Sequence, residues 1–205
     1  MMNKAILVLT LSAGLMLTPV VWAGLDPWAE SYRLEALTQY EAAVKALEPV
    51  LKKNSKHEFA VLRRGWLNYL RGAHNESLRD YQLALDLNPQ SLDARLGLML
   101  PLIMQQRWRE VASHANKVLE VAPWNYYAHV RLMISEEGER KWDTLAKHAA
   151  RVSRRYPSDV TVLIYQARAN DWLKNDGEAR RAYEKVLEHI PNHLEALQYL
   201  NRVQR

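Results

Sequence analysis

A period of 34 residues constrains this chain more than any other feature of its sequence. Pro89, Pro123, Pro157 and Pro191 stand on one grid at that spacing, and one step back from Pro89 lands on Ser55. The residues ahead of each proline follow the same grid. Ala84 shares a column with Val50, Val118, Val152 and Val186, and Leu85 shares one with Leu51, Leu119, Ser153 and Leu187. A third column, Ala43, Ser77, Val111, Leu145 and Ala179, varies more in size, and a fourth carries Leu47, Tyr81, Ala115, Ala149 and Tyr183. Self-similarity at such an interval is the signature of an array in which one small unit is stacked repeatedly, each copy burying the apolar face of the next.

A small residue, an aromatic and a closing proline within 34 residues resemble the tetratricopeptide repeat (TPR) family. The match runs over residues 24–193 as five units without insertion, 24–57, 58–91, 92–125, 126–159 and 160–193, and residues 194–205 read as a partial sixth unit that caps the array. The first half of the family motif is weaker: Gly65 alone occupies its glycine column, followed by Met99, Met133 and Ala167, and the usual large residue before it is Arg64. The resemblance implies an all-α fold, a right-handed TPR superhelix of about eleven helices, and an interaction surface rather than a reaction centre.

Lys4 precedes an uncharged apolar run from Ala5 to Leu17, too short for an ordinary membrane-spanning helix. Val21 and Ala23 then stand as small cleavage determinants, so residues 1–23 read as a secretory signal peptide cut after Ala23, with an uncleaved anchor as the alternative. A leader on a bare repeat array points to the periplasm of a Gram-negative envelope. The chain has no cysteine, which excludes disulfides, thiolate chemistry and a lipid-anchored N-terminal cysteine. With Lys4 removed, 27 basic residues face 23 acidic ones, a mild excess of four, and nucleic acid is not an expected partner.

Local signals place the helices. Asp26 and Pro27 suit a helix start, Asn75 is a candidate cap, and Asn192 with Glu195 forms a capping-box pattern. Pro49 is expected to interrupt the partner helix of the first repeat, and Pro101 to kink the first helix of the third. Exposed turns are expected through Glu136–Arg140 and Asn175–Gly177. Tyr40, Trp108 and Trp142 share a column and read as core.

In the TPR superhelix the first helix of each unit lines the concave side. The columns that point inward are Trp28, Leu62, Leu96, Val130, Ile164 and Gln198, then Tyr32, Trp66, Leu100, Ile134, Arg168 and Arg202, then Glu35, Tyr69, Ile103, Glu137 and Asp171, with Tyr127 and Arg131 beside them. They predict a groove that is apolar and aromatic over three repeats and charged over the last two, suited to an apolar or amphipathic peptide whose direction the charged end sets. The lysine and asparagine clamp with which some TPR proteins hold a chaperone's terminal carboxylate is absent: its positions carry Leu62, Trp66 and Gly97, and only Arg131 remains.

No catalytic, cofactor or metal motif stands out. The seven histidines, His57, His74, His114, His129, His148, His189 and His193, lack a third ligand at a metal-binding spacing and read as surface residues. The expectation is therefore a non-catalytic adaptor or scaffold of the cell envelope with a protein or peptide partner. The alternative is a structural subunit that self-associates into a homo-oligomer through its convex face or end helix. A carbohydrate-binding role through Trp124 and Trp172 is a more distant reading.

Overall fold

The computed structural model describes residues 26–203; the expected leader lies outside them. Among the described residues there are twelve helical segments and no strand. They are α1 (Pro27–Ala36), α2 (Tyr40–Ala46), α3 (Glu48–Lys53), α4 (Glu58–Leu70), α5 (His74–Leu87), α6 (Leu92–Met104), α7 (Trp108–Val121), α8 (Tyr126–Gly138), α9 (Trp142–Ser153), α10 (Val160–Trp172), α11 (Asp176–His189) and α12 (Leu194–Val203). Each helix packs on its neighbours in sequence, so the chain is a stack of helical hairpins closed by a single helix.

Each hairpin turns at the same place. Thr38, Gly72, Gln106, Arg140 and Lys174 all take left-handed backbone, with φ between 55° and 79°, and all lie on the 34-residue grid. The next residue reaches back five positions to close the first helix: Ala73 N–H donates to the Asn68 carbonyl at 2.8 Å, and Lys141 to that of Glu136 at 2.8 Å. This is the 6→1 bond of the Schellman ending, for which glycine is the usual residue. Only one of the five turns uses it.

The grid also caps the first helices. His57, Ser91, Asn125 and Asp159 each accept the N–H three residues on, and His193 does so for α12 at 3.4 Å. Asp26 caps α1 through Ala29, as its sequence suggests. Asn75 does not cap α5, which begins at His74 without a side-chain cap; its Oδ1 instead accepts from Gln105 at 2.9 Å. Asn192 is displaced as the α12 cap by His193, and Glu195 is drawn across to Arg168.

Other expectations shift for steric reasons. Pro49 divides the partner helix of the first repeat into α2 and α3 at Leu47, because it supplies no amide hydrogen to the preceding turn. Pro101 leaves α6 unbroken and is buried, in the column of Leu67 and Ala169. Glu136, Glu137 and Gly138 belong to α8 and not to a turn, and Asp176 and Gly177 begin α11. Tyr40, Trp108 and Trp142 are half-buried rather than core. The Trp142 ring lies parallel to that of Trp172, with centroids 4.9 Å apart and an interplanar angle of 6°.

The apolar core is segmented. One cluster runs from Val61 to Leu132, a second gathers Met133, Leu145, Ala149, Val152 and Val162, a third packs Leu163, Tyr183 and Val186 against Ala196 and Tyr199 of α12, and a fourth holds Leu34, Ala43, Leu47 and Leu67 at the other end. The break between the first two falls within α8. There His129, Ser135 and Glu136 are buried, and α8 and α9 form the most loosely paired of the hairpins.

Candidate functional site

The first helices α1, α4, α6, α8 and α10 carry the columns expected to face inward, and every predicted groove side chain keeps some access to solvent. The columns divide by depth. Trp28, Leu62, Leu96, Ile103, Val130 and Ile164 rest on the edges of the core clusters. Tyr32, Trp66 and Tyr127 stand out further, at 50%, 36% and 61% exposure. Leu100 and Ile134 are half-buried between these extremes. Half-burial gives such side chains a fixed direction while leaving apolar area to cover.

The aromatic end is held by a buried cation. Arg63, 6% exposed, lies 3.4 Å from the centre of the Tyr32 ring. Its Nε donates to Ser31 at 2.9 Å and its Nη1 to Glu35 at 2.9 Å, while Trp66 Nε1 donates to the other Glu35 oxygen at 2.6 Å. Trp66 in turn stacks on Tyr69, with centroids 5.8 Å apart. A cation against an aromatic face, with its charge met by a carboxylate, fixes the direction of Tyr32 and Trp66.

In the middle, Arg131 donates to the Leu96 carbonyl at 2.6 Å and faces the Tyr127 ring at 5.7 Å. Burial holds its guanidinium below the ordinary arginine range. Beside it Gly97 is obligatory, since a Cβ there would stand 2.0 Å from the Tyr81 ring.

The charged end differs from its sequence reading. Arg168 grips Glu195 with two bonds of 2.8 and 2.7 Å and reaches Glu137 at 3.4 Å, and Arg202 grips Asp171 at 2.7 and 2.8 Å. Tyr183 adds a bond to Glu195 at 2.8 Å, and the Arg168 bond holds the Glu195 carboxyl below its ordinary range. The groups line a cavity of about 440 Å³. Two arginines face three carboxylates here, so this end ties α12 to α10 and keeps one net negative charge.

This repeat of helical hairpins is shared by known structures. No family model matches the chain, and no curated protein matches it by sequence. Among solved structures, YrrB, described as a TPR protein with an unusual peptide-binding site, superposes with a TM-score of 0.71 at 15% identity, covering 85% of this chain and 90% of that one. MamA from Desulfovibrio magneticus RS-1 gives 0.74 at 14% identity, covering 83% and 98%.

The chain has the tetratricopeptide-repeat fold. TTC0263, a TPR protein of Thermus thermophilus, agrees, with a TM-score of 0.64 at 18% identity over 88% of this chain and 98% of that one. Among the described residues the fold is all-α, and it is the TPR solenoid that the resemblance to this family implies.

The structure also brings together residues that the sequence reading placed on the surface. His129 and His148 are 2% and 6% exposed, and Glu136 is 6% exposed. His129 Nε2 lies 3.0 Å from the Pro123 carbonyl, His129 Nδ1 lies 2.9 Å from His148 Nε2, and His148 Nδ1 lies 2.8 Å from Glu136 Oε2. The repeat grid contained the signal. Glu136 occupies the column of Leu34, Asn68, Leu102 and Asn170, all buried, and His148 that of Asp80, whose carboxylate accepts from Asn68 at 2.8 Å. Of the other histidines, His57 and His193 cap helices and His114 is half-buried.

Proposed function

We propose that this TPR solenoid is a non-catalytic adaptor or scaffold that binds an apolar or amphipathic peptide segment of another protein in its concave groove. The observation that carries this reading is the pre-set aromatic end, where Arg63 and Glu35 fix Tyr32 and Trp66 while leaving their rings exposed. Ordering costs that a ligand would otherwise meet are already met within the fold. Leu100 and Ile134 continue the apolar path, and the ion pairs of α10 and α12, with one carboxylate in excess, bound it. Binding here rests on shape and apolar area, with direction set between Arg131, which meets no carboxylate among the described residues, and that acidic end.

The apolar stretch followed by Val21 and Ala23 supports a secreted, periplasmic address and a partner in an envelope assembly. Crosslinking of the full chain in periplasmic extract, with Trp66→Ala/Leu100→Asp beside it, tests both parts. Partners captured by the parent chain and lost by the double variant are expected. Equal capture by both would remove the groove from the reading, and recovery of the protein with residues 1–23 in the cytoplasm would remove the address.

Self-association is favoured by a separate observation. On α12, Leu197 and Val203 are 37% and 38% exposed, whereas their counterparts one repeat earlier, Leu163 and Ala169, are buried at 2% and 0%. α12 is thus a first helix whose outer face no described helix covers. Sedimentation of the parent chain and of Leu197→Lys distinguishes the readings: a dimer abolished by the lysine supports the end-helix contact, and a monomer at all concentrations dismisses it.

A further inference from the structure

The carbonyl of Pro123, which can only accept, sets the proton positions in the buried chain that follows it. His129 must present Nε2–H to that carbonyl. Its neutral ring then offers Nδ1 as an acceptor, so His148 Nε2 donates, and one further proton lies between His148 Nδ1 and Glu136 Oε2. Three protons fill three hydrogen bonds, and the chain as a whole is uncharged. A fourth must either set two N–H groups face to face at 2.9 Å or sit on the second Glu136 oxygen beside an imidazolium, and both leave a net positive charge in a buried seam.

The surroundings offer that charge no relief. On α9, Arg151 adds to the positive potential at His129. On α8, Glu137 is turned to Arg168 of α10, and just past its end Glu139 is held by Lys141 and by Arg109 of α7. Ser135 donates to the Trp108 carbonyl of α7, and on the outer side the Trp124 ring covers His129 with centroids 5.7 Å apart. These bonds span the most loosely paired hairpin of the stack, where Met133 of α8 packs on Leu145 and Ala149 of α9.

We propose that the Pro123–His129–His148–Glu136 chain is a proton-gated latch. Filled with three protons it holds α8 against α9, and a fourth proton in mild acid releases the pair. The opposite face of α8 carries Tyr127, Val130, Arg131 and Ile134, so release displaces the fourth segment of the groove whatever ligand occupies it. Burial, the largest influence on His129, holds its imidazole below the ordinary value of 6.5. The unfolded chain therefore takes up the proton first, and the stability associated with neutral His129 is present above that value and lost as pH falls below it.

Amide hydrogen exchange of the full chain at pH 7.5 and pH 5, corrected for intrinsic rates, tests this. The closing equilibrium of α8–α9 is expected to fall by about 30-fold between the two, the limit for one histidine that stays neutral when folded. In His129→Gln, whose amide donates to Pro123 and accepts from His148 without titrating, that extra fall disappears. The same pH dependence in the variant, or undiminished protection of α8–α9 at pH 5 in the parent chain, overturns the latch. Should the variant not fold at pH 7.5, ring-nitrogen NMR of the parent chain decides. Opening of α8–α9 as His129 gains its proton supports the latch, and protonation with no opening overturns it.

Discussion

The hydroxyl of Ser77 donates to the carbonyl of Gly65 at 2.8 Å, a contact between the middle of α4 and the start of α5 that is possible only because both residues are small. The same two columns set the spacing of every full-length hairpin. They hold Ala167 and Ala179 in the fifth repeat, which packs almost as closely, Met99 and Val111 in the third, and Met133 with Leu145 in the fourth, which is the loosest. Gly65→Met is therefore expected to push α5 away from α4, because even a Cβ would lie 3.3 Å from Asp80 and Tyr81. A loss of about 1–3 kcal/mol in urea denaturation is expected, and Ser77→Ala should cost about 1 kcal/mol or less, because the Gly65 carbonyl keeps its bond within α4 and only the hydroxyl's bond is lost.

The five left-handed turns form a graded series. A side chain in this conformation costs about 1–2 kcal/mol, and Thr38, Gln106, Arg140 and Lys174 all bear it. Replacing each by glycine should raise stability by about 1 kcal/mol or less, most at Thr38, where the branched Cβ is least suited to positive φ. Gly72→Ala should lower it by a similar amount. Thermal denaturation of the five single variants checks the signs.

His114 occupies in the third repeat the place of Asp80 and His148, but its counterpart on the preceding helix is Leu102, where Asn68 and Glu136 stand in their repeats. Its Nδ1 is buried without a partner. Burial pushes its imidazole below the ordinary value, so it weakens the fold progressively as pH falls below 6.5. His114→Leu should stabilise by about 1 kcal/mol at pH 7.5 and by more at pH 5. A gain that shrinks in acid would contradict the assignment.

Arg168 holds α12 through two bonds to Glu195. Both groups are about one-third exposed, so Arg168→Ala should cost about 1 kcal/mol, tempered by solvent screening. The loss should be local, appearing as faster amide exchange in α12 with little change in α4 and α5. It should also be smaller below the Glu195 carboxyl range, since protonation breaks the same bond. Uniform loss across the solenoid would show that α12 unfolds only with the whole chain.

The architecture is legible in the bare sequence, because a TPR array is written in local signals: a period, caps one residue before each first helix, and small or apolar residues at columns that every copy buries. Those features act within one or two turns of helix and between adjacent units, so spacing alone exposes them. Pairings across a hairpin are different in kind. Glu136 reads as part of an acidic turn until α8 carries it inward against His148, and Arg168 reads as free charge until Glu195 crosses from α12 to meet it. Whether a polar side chain ends in solvent or in a buried bond depends on which partner the facing helix presents, and how far apart the helices stand. That distance is set jointly by residues such as Gly65 and Ser77, and only the folded stack brings them together.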